Sequence, residues 1–239
     1  RETGKPMWEA SAEVEAVINK VELSVRAYAE RCAQRKLDSA MQGTMAVRHK
    51  PHGVLAVLGP FNMPAHGPCA HIIPALIAGN VVVFKPSEKA PATGEAIARC
   101  FNRAGVSAAV VQLAIGGPAQ GQALVAHEGV DGVLFTGSAN TGIAISRKLA
   151  TRPDKLVALE MGGNSPIVLW DTPKLSDAAA LIVQSAFTSA GQQCTAARRL
   201  IVKAGMYDSI IHEIKALADR IIFGGPFDER TPVMGPVID

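Results

Sequence analysis

Between residues 54 and 159, five short apolar, β-rich runs recur, and a stretch able to hold a helix separates each from the next. The runs are Val54 to Leu58, Val81 to Phe84, Val110 to Ile115, Val133 to Phe135 and Leu156 to Leu159. Between them, Pro64 to Ala78, Thr93 to Ala104, Pro118 to Ala126 and Asn140 to Leu149 read as helices. Gly105 supplies a C-terminal stop and Pro118 a first-turn proline. Near-continuous apolar runs suit strands buried on both faces, and their alternation with helices points to a parallel sheet. The expected fold class is α/β: a Rossmann-type, five-stranded parallel sheet with helices on both faces. Such sheets bind ligands beyond the carboxyl ends of their strands. The first candidates therefore follow the runs: Asn62, Lys85, Gly137 and Glu160.

The flanks are less regular. From Ser11 to about Cys32, apolar residues fall at Val14, Val17, Ile18, Val21, Val25 and Tyr28, one stripe of an amphipathic helix with Ser11 as its N-cap. Residues 41 to 52 are polar and mixed, which fits an extended connector or hairpin. After Gly162-Gly163 the pattern changes to strand (Pro166 to Trp170), helix (Ser176 to Ser189), strand (Leu200 to Lys203) and helix (Met206 to Ile222). The expected division is residues 1–160 as the first domain, with the helix and connector, and 161–239 as the start of a second, incomplete α/β domain. Arg1 to Pro6 reads like the interior of a longer chain.

Composition removes several function classes. With 24 Lys and Arg against 21 Asp and Glu and no dense basic run, the net charge of +3 leaves no nucleic-acid footprint. A hydrophobic share of 48% excludes a disordered chain. No membrane span is expected, because the richest apolar stretch, Ile72 to Phe84, is broken by Pro74, Gly79 and Asn80. The four cysteines, Cys32, Cys69, Cys100 and Cys194, form no CxxC pair and suit a reducing compartment, hence a cytoplasmic protein. The histidines show no HExxH-like spacing, so no metal site is expected and all are read as structural.

Several segments can carry chemistry, and each also has a bland reading. Gly137-Ser138-Ala139-Asn140-Thr141-Gly142 lies between a strand and a helix, where small residues and a helix N-terminus can cradle a phosphate; it is equally an ordinary βα turn. Lys85, Ser87 and Glu88 follow the second run. A Lys and a Glu there can hold ribose hydroxyls, and the carboxylate disfavours the extra phosphate of NADP; alone, the segment reads better as a solvated loop. Cys194 sits between Ala190-Gly191 and Arg198-Arg199, in a glycine-bearing turn near a helix start, where cationic charge favours a thiolate able to attack a carbonyl. Lone cysteines are more often structural. Glu160 precedes two glycines and can activate water, or simply end a strand. Asn62, between prolines, can donate to an oxyanion or serve as a turn residue.

The order of these weak signals is specific. PFNMP, FKPSE, FTGSANTG, LEMGGN and GQQCT occur in the order and at the intervals of the aldehyde dehydrogenase superfamily, which the chain resembles over nearly its whole length. Within that family it is most similar to a subgroup of bacterial arginine catabolism, departing at Ala65 to His71 (Gly67, Cys69, Ala70). The resemblance implies Cys194 as nucleophile, Asn62 as oxyanion donor and Glu160 as the base for thioester hydrolysis. It implies NAD as cofactor, with Lys85, Ser87 and Glu88 at the adenosine ribose and Gly137, Ser138, Ala139, Asn140, Thr141 and Gly142 along the pyrophosphate. It also implies a small-molecule aldehyde substrate, no nucleic-acid or membrane partner, and a homo-oligomer for the full-length protein. Arg198 or Arg199 is a candidate for substrate carboxylates, or for packing and structural ion pairs. Acylating and acyl-phosphate relatives share the cysteine, and Glu160 argues for hydrolysis instead. A cofactor-binding fragment without turnover is the non-enzymatic alternative.

Overall fold

The structure, a computed structural model, describes residues 1–37 and 43–238. In chain order the elements are α1 (Met7–Arg31), β1 (Arg35–Leu37), β2 (Met45–Val47), β3 (Val54–Leu58), α2 (His66–Ile77), β4 (Val81–Lys85), α3 (Pro91–Arg103), β5 (Val111–Leu113), α4 (Pro118–Ala126), β6 (Gly132–Gly137), α5 (Ala139–Leu149), β7 (Leu156–Met161), β8 (Ser165–Leu169), α6 (Leu175–Phe187), a 3₁₀ turn (Thr188–Gly191), β9 (Ala197–Val202) and α7 (Tyr207–Ala218). They form two compact units: residues 13–160, and residues 1–12 together with 161–239.

The 13–160 unit is built on a five-stranded sheet of order β5-β4-β3-β6-β7. β3 pairs in parallel with β4 (Leu58 opposite Lys85) and with β6 (Leu58 opposite Phe135). The expected α/β class and five-stranded parallel sheet are thus present. Strand alternation splits the apolar residues between two faces. Leu55, Val57, Val82 and Phe84 pack with Ile72 of α2 and Ile97 of α3 on one face. Ala56, Leu58, Val133 and Phe135 pack with Val125 of α4 and Ile145 and Leu149 of α5 on the other. Each fully buried side chain of this size contributes about 1.5–3 kcal/mol, so the two cores fix the strand ends that carry the candidate residues. The sheet order reverses between β3 and β6, the crevice where such sheets take ligands.

The second unit has the parallel pair β8-β9, with Ile167 opposite Leu200. α6 and α7 cover it through a small core of Leu169, Ala179, Ile182 and Ile210. Residues 1–12, read from the sequence as part of the first domain, pack with this unit instead. Trp8 Nε1 donates to Pro232 O at 3.0 Å, and Glu9 accepts from Ser189.

Two expectations about the N-terminal helix are corrected. It starts at Met7, its first turn closed by Ala10 N–H on Pro6 O at 3.0 Å, so Ser11 is an exposed interior residue and not a cap. The apolar stripe is also not its inward face. Ile18 is 64% exposed and Val25 51%, whereas Glu9 and Glu13 are each only 6% exposed. The reason is hydrogen bonding: both carboxylates accept backbone N–H groups that would otherwise lack partners. Apolar periodicity alone does not report such bonds. In the 41–52 connector, β2 pairs antiparallel with β1, while residues 41 and 42 lie outside the described residues.

Candidate active site

The carboxyl ends of β4 and β6 gather the candidate cofactor residues of the 13–160 unit. Lys85, the last residue of β4, is buried; its Nζ donates to Pro86 O at 2.7 Å and Gly116 O at 2.8 Å, tying β4 to the segment after β5. Burial lowers its pKa, and Glu88, whose Oε2 lies 3.9 Å away, opposes that shift. An ammonium has three hydrogens, so one remains beyond these two bonds. Ser87 is buried, and its Oγ accepts Lys89 N–H at 3.2 Å, holding the turn that exposes Glu88. At the end of β6, a Cβ on Gly137 would stand 2.5 Å from the Phe135 ring, so only glycine fits. Ser138 caps α5: its Oγ accepts Thr141 N–H at 3.3 Å and lies 2.9 Å from Thr141 Oγ1. Gly142 N–H closes the first helical bond on Ser138 O. The amides of Ala139 and Asn140, in the first turn, have no partner inside the helix and form an anion-receptive end.

Asn62 follows β3 in the loop before α2. Its Oδ1 accepts Met63 N–H at 2.9 Å, which makes Nδ2 the donor end of the amide. Glu13 secures the far side of this loop: Oε1 accepts Ala65 N–H at 2.8 Å and His66 N–H at 3.0 Å. A buried carboxylate thus caps α2, whose N-cap position, Ala65, has no capping side chain. Glu160 stands near the end of β7 and is exposed. Leu156 and Ala158 pack into the first core, and Leu134 does the same on β6. Alternation therefore places Glu160 and Thr136 on the same sheet face as α2. On that face His71 Nε2 lies 3.0 Å from Thr136 Oγ1. Burial lowers the His71 pKa from 6.5; the Glu160 carboxylate opposes that shift and Lys20 adds to it.

In the other unit, Cys194 is exposed and lies between the 3₁₀ turn and β9. Ala196 N–H donates to Gln193 O at 3.2 Å, making Cys194 the first central residue of a hydrogen-bonded turn. Its carbonyl accepts Ser165 Oγ–H at 3.2 Å, and a Cβ on Gly163 would approach that same oxygen to 3.0 Å. The expected helix start is absent: β9 follows directly, and the cysteine is presented by a turn. Arg199 Nε donates to Asn164 O at 3.0 Å and so ties β9 to the loop after Gly162-Gly163, while Arg198 is exposed.

The structure therefore gathers Lys85, Ser87, Glu88 and Gly137 to Gly142 at strand ends of one unit, with Asn62 and Glu160 after β3 and on β7. Cys194 belongs to the other unit. Sequence reasoning missed Glu9, Glu13 and Ser189. The only signal for the two glutamates is their spacing of four on one helix face, which also describes a solvated face. Among the described residues, no cluster has the makings of a metal site, and no helix is long and apolar enough to cross a membrane.

The pattern of the aldehyde dehydrogenase family matches residues 1–239. The chain belongs to that family. It is 74% identical over 239 residues to the N-succinylglutamate 5-semialdehyde dehydrogenase of Novosphingobium aromaticivorans, a match covering 100% of this chain and 51% of the relative. The γ-glutamyl-γ-aminobutyraldehyde dehydrogenase of Burkholderia cenocepacia J2315 has the same fold, with a TM-score of 0.93 at 32% identity over 100% of this chain and 48% of its own. An NADP dependent enzyme of E. coli matches with a TM-score of 0.93 at 32% identity, over 100% and 49%. The chain spans about half the length of the curated relatives it matches.

Proposed function

We propose that this chain carries the cofactor unit and the nucleophile of a dehydrogenase that oxidises N-succinyl-L-glutamate 5-semialdehyde to its carboxylate with NAD. The observation that carries this reading is Cys194, an exposed thiol held in a hydrogen-bonded turn of a family member 74% identical to a dehydrogenase named for that aldehyde. The thiolate adds to the aldehyde carbon, forming the S–C bond of a thiohemiacetal. Asn62 Nδ2 and the Cys194 backbone N–H donate to the oxyanion; one such donor is worth about 10²–10³ in rate. The nicotinamide, when bound, supplies the two-electron oxidation by accepting hydride. Glu160 takes a proton from water, whose oxygen adds to the thioester carbon. The C–S bond breaks and the Cys194 thiolate returns.

The residues present fit a dinucleotide. The amides of Ala139 and Asn140 suit a pyrophosphate, together with Gly137, Ser138, Thr141 and Gly142, where Gly137 leaves no room for a Cβ. Lys85, Ser87 and Glu88 suit the adenosine ribose. Glu88 favours NAD over NADP by repelling a 2′-phosphate; the fold is common to an NADP dependent relative, so the side chain and not the fold carries this choice. Residues 13–160 are assigned to the cofactor domain and 161–239, which residues 1–12 join, to the first part of the catalytic domain. A homo-oligomer in the cytoplasm is the setting proposed for the full-length protein.

The test is a rapid-quench burst on the protein at its natural length. With NAD and succinylglutamate semialdehyde, we expect a burst of NADH and an acyl adduct in the intact mass. Both should vanish in Cys194→Ala, while NAD binding persists. Parental turnover in that variant removes Cys194 as nucleophile, and CoA-dependent product replaces hydrolysis with acyl transfer.

A further inference from the structure

The segment leading into Cys194 adopts an unusual backbone. Ser189 (φ 53°, ψ 36°) and Ala190 (φ 54°, ψ 31°) are both left-handed, and Gly191 follows at φ 71°. They are the only non-glycine residues with positive φ among those described. The left-handed region is costly for any residue with a Cβ, and alanine has no polar side chain to recover that cost. Such a conformation persists only where its surroundings over-determine it.

Those surroundings converge on one buried carboxylate. Glu9 Oε1 accepts Ser189 N–H at 2.9 Å, and Oε2 accepts Ser189 Oγ–H at 2.7 Å. Glu9 and Ser189 are both buried, and charge-assisted bonds are the stronger kind. Ser189 then passes the constraint on: its Oγ accepts Gln193 Nε2–H at 3.0 Å, and its carbonyl accepts Gln192 N–H at 3.0 Å and Gln192 Nε2–H at 3.2 Å. Gln193 is the residue before Cys194 and opens the turn that presents it. Glu9 is itself anchored in the first turn of α1, where the helix dipole favours a carboxylate.

We propose that Glu9 is a positioning residue for the nucleophile, holding Ser189 to Gly191 in the left-handed conformation and so fixing, through Gln193, where the Cys194 thiol stands. The inference rests on the reading of Cys194 as nucleophile. It involves no contact between Glu9 and substrate.

Burst kinetics on the natural-length protein separate positioning from folding, because amplitude counts competent sites while the burst rate reports geometry. In Glu9→Ala we expect the burst rate to fall about 10–10²-fold, the order that a misplaced reacting group costs. Amplitude, aldehyde KM and NAD affinity should stay near parental. Glu9→Gln keeps one acceptor oxygen and should recover most of the rate. Ser189→Ala keeps the N–H bond to Glu9 but cuts the link to Gln193; it should slow the burst several-fold, and it serves as the test if Glu9→Ala does not fold. A parental burst rate in Glu9→Ala or, where that variant does not fold, in Ser189→Ala, or a loss confined to amplitude, overturns the inference. A parental burst in Cys194→Ala overturns the nucleophile reading instead, whatever Glu9 does.

Discussion

Cys69 and Cys194 show how differently the two units treat the same side chain. Cys69, in α2, is 2% exposed, and burial pushes its pKa from 9.0 up to about 12, with Glu13 and then Cys100 adding to the shift. It packs beside Ile72 and Phe84 as a small apolar group. Cys194 is exposed, and a turn whose neighbours are held by Ser165, Ser189 and Gln193 presents it. The 13–160 unit places its candidate groups by packing: they stand at or just beyond the ends of strands that carry the two apolar layers. The other unit has one small core, and the segment leading into Cys194, the proposed nucleophile, is held by hydrogen bonds to a buried carboxylate. Packing can position rigid strand ends, but a residue in a turn needs its backbone bonds accounted for one by one.

The sharpest way to break that comparison is at Glu160, the strand-end residue with the most to do. Glu160→Gln keeps the shape of the side chain and removes the carboxylate proposed as the base. Acylation, which depends on the Cys194 turn, should proceed with a normal burst. Thioester hydrolysis should slow by about 10²–10⁴, and the acyl adduct should accumulate in intact mass. A lost burst would mean that the strand end and the turn serve one step and not two. An unaltered steady-state rate removes Glu160 from hydrolysis.

The same contrast explains what the sequence discloses. Strand ends are legible because apolar runs mark the strands and the ligand side of a parallel sheet follows from topology; Lys85, Gly137 and Glu160 lie at or near the strand ends that this reading expects. Cys194 was legible through its motif, but its presentation was not. The helix was expected to run through Ser189, where Ser189 and Ala190 instead take left-handed conformations, and no local preference encodes those for alanine. Their support comes from Glu9, 180 residues earlier in the chain. The facing of α1 failed for a related reason. Periodicity counts apolar area, and here the inward face was chosen by carboxylates that satisfy Ser189, Ala65 and His66.

The next largest effect is the pH dependence that the buried cysteine gives to stability. An unfolded Cys69 thiol ionises near 9, whereas the folded one holds its proton to about 12. Its contribution to stability is therefore complete below pH 9 and is lost as pH rises toward 12. Three units correspond to about 4 kcal/mol. Thermal midpoints from pH 8 to 11 should fall more steeply in the parent than in Cys69→Ala. Equal slopes in the two proteins would mean that burial does not hold the Cys69 proton.

The smallest effect belongs to Glu88, a strand-end carboxylate whose side chain is 52% exposed. Water and salt screen a charge in such a place, so its leverage on a 2′-phosphate is limited. Glu88→Gln should improve NADP binding about tenfold or less, on the order of 1 kcal/mol for an exposed charge, and should leave the burst rate at saturating NAD unchanged. The gain should shrink as salt is raised, because the repulsion being removed is itself screened. If NAD preference survives the substitution and ignores salt, selection falls to buried groups, and Lys85, fixed between Pro86 O and Gly116 O, becomes the residue to change. The 13–160 unit would then choose its cofactor as it places its strand ends, by what is packed and not by what is exposed.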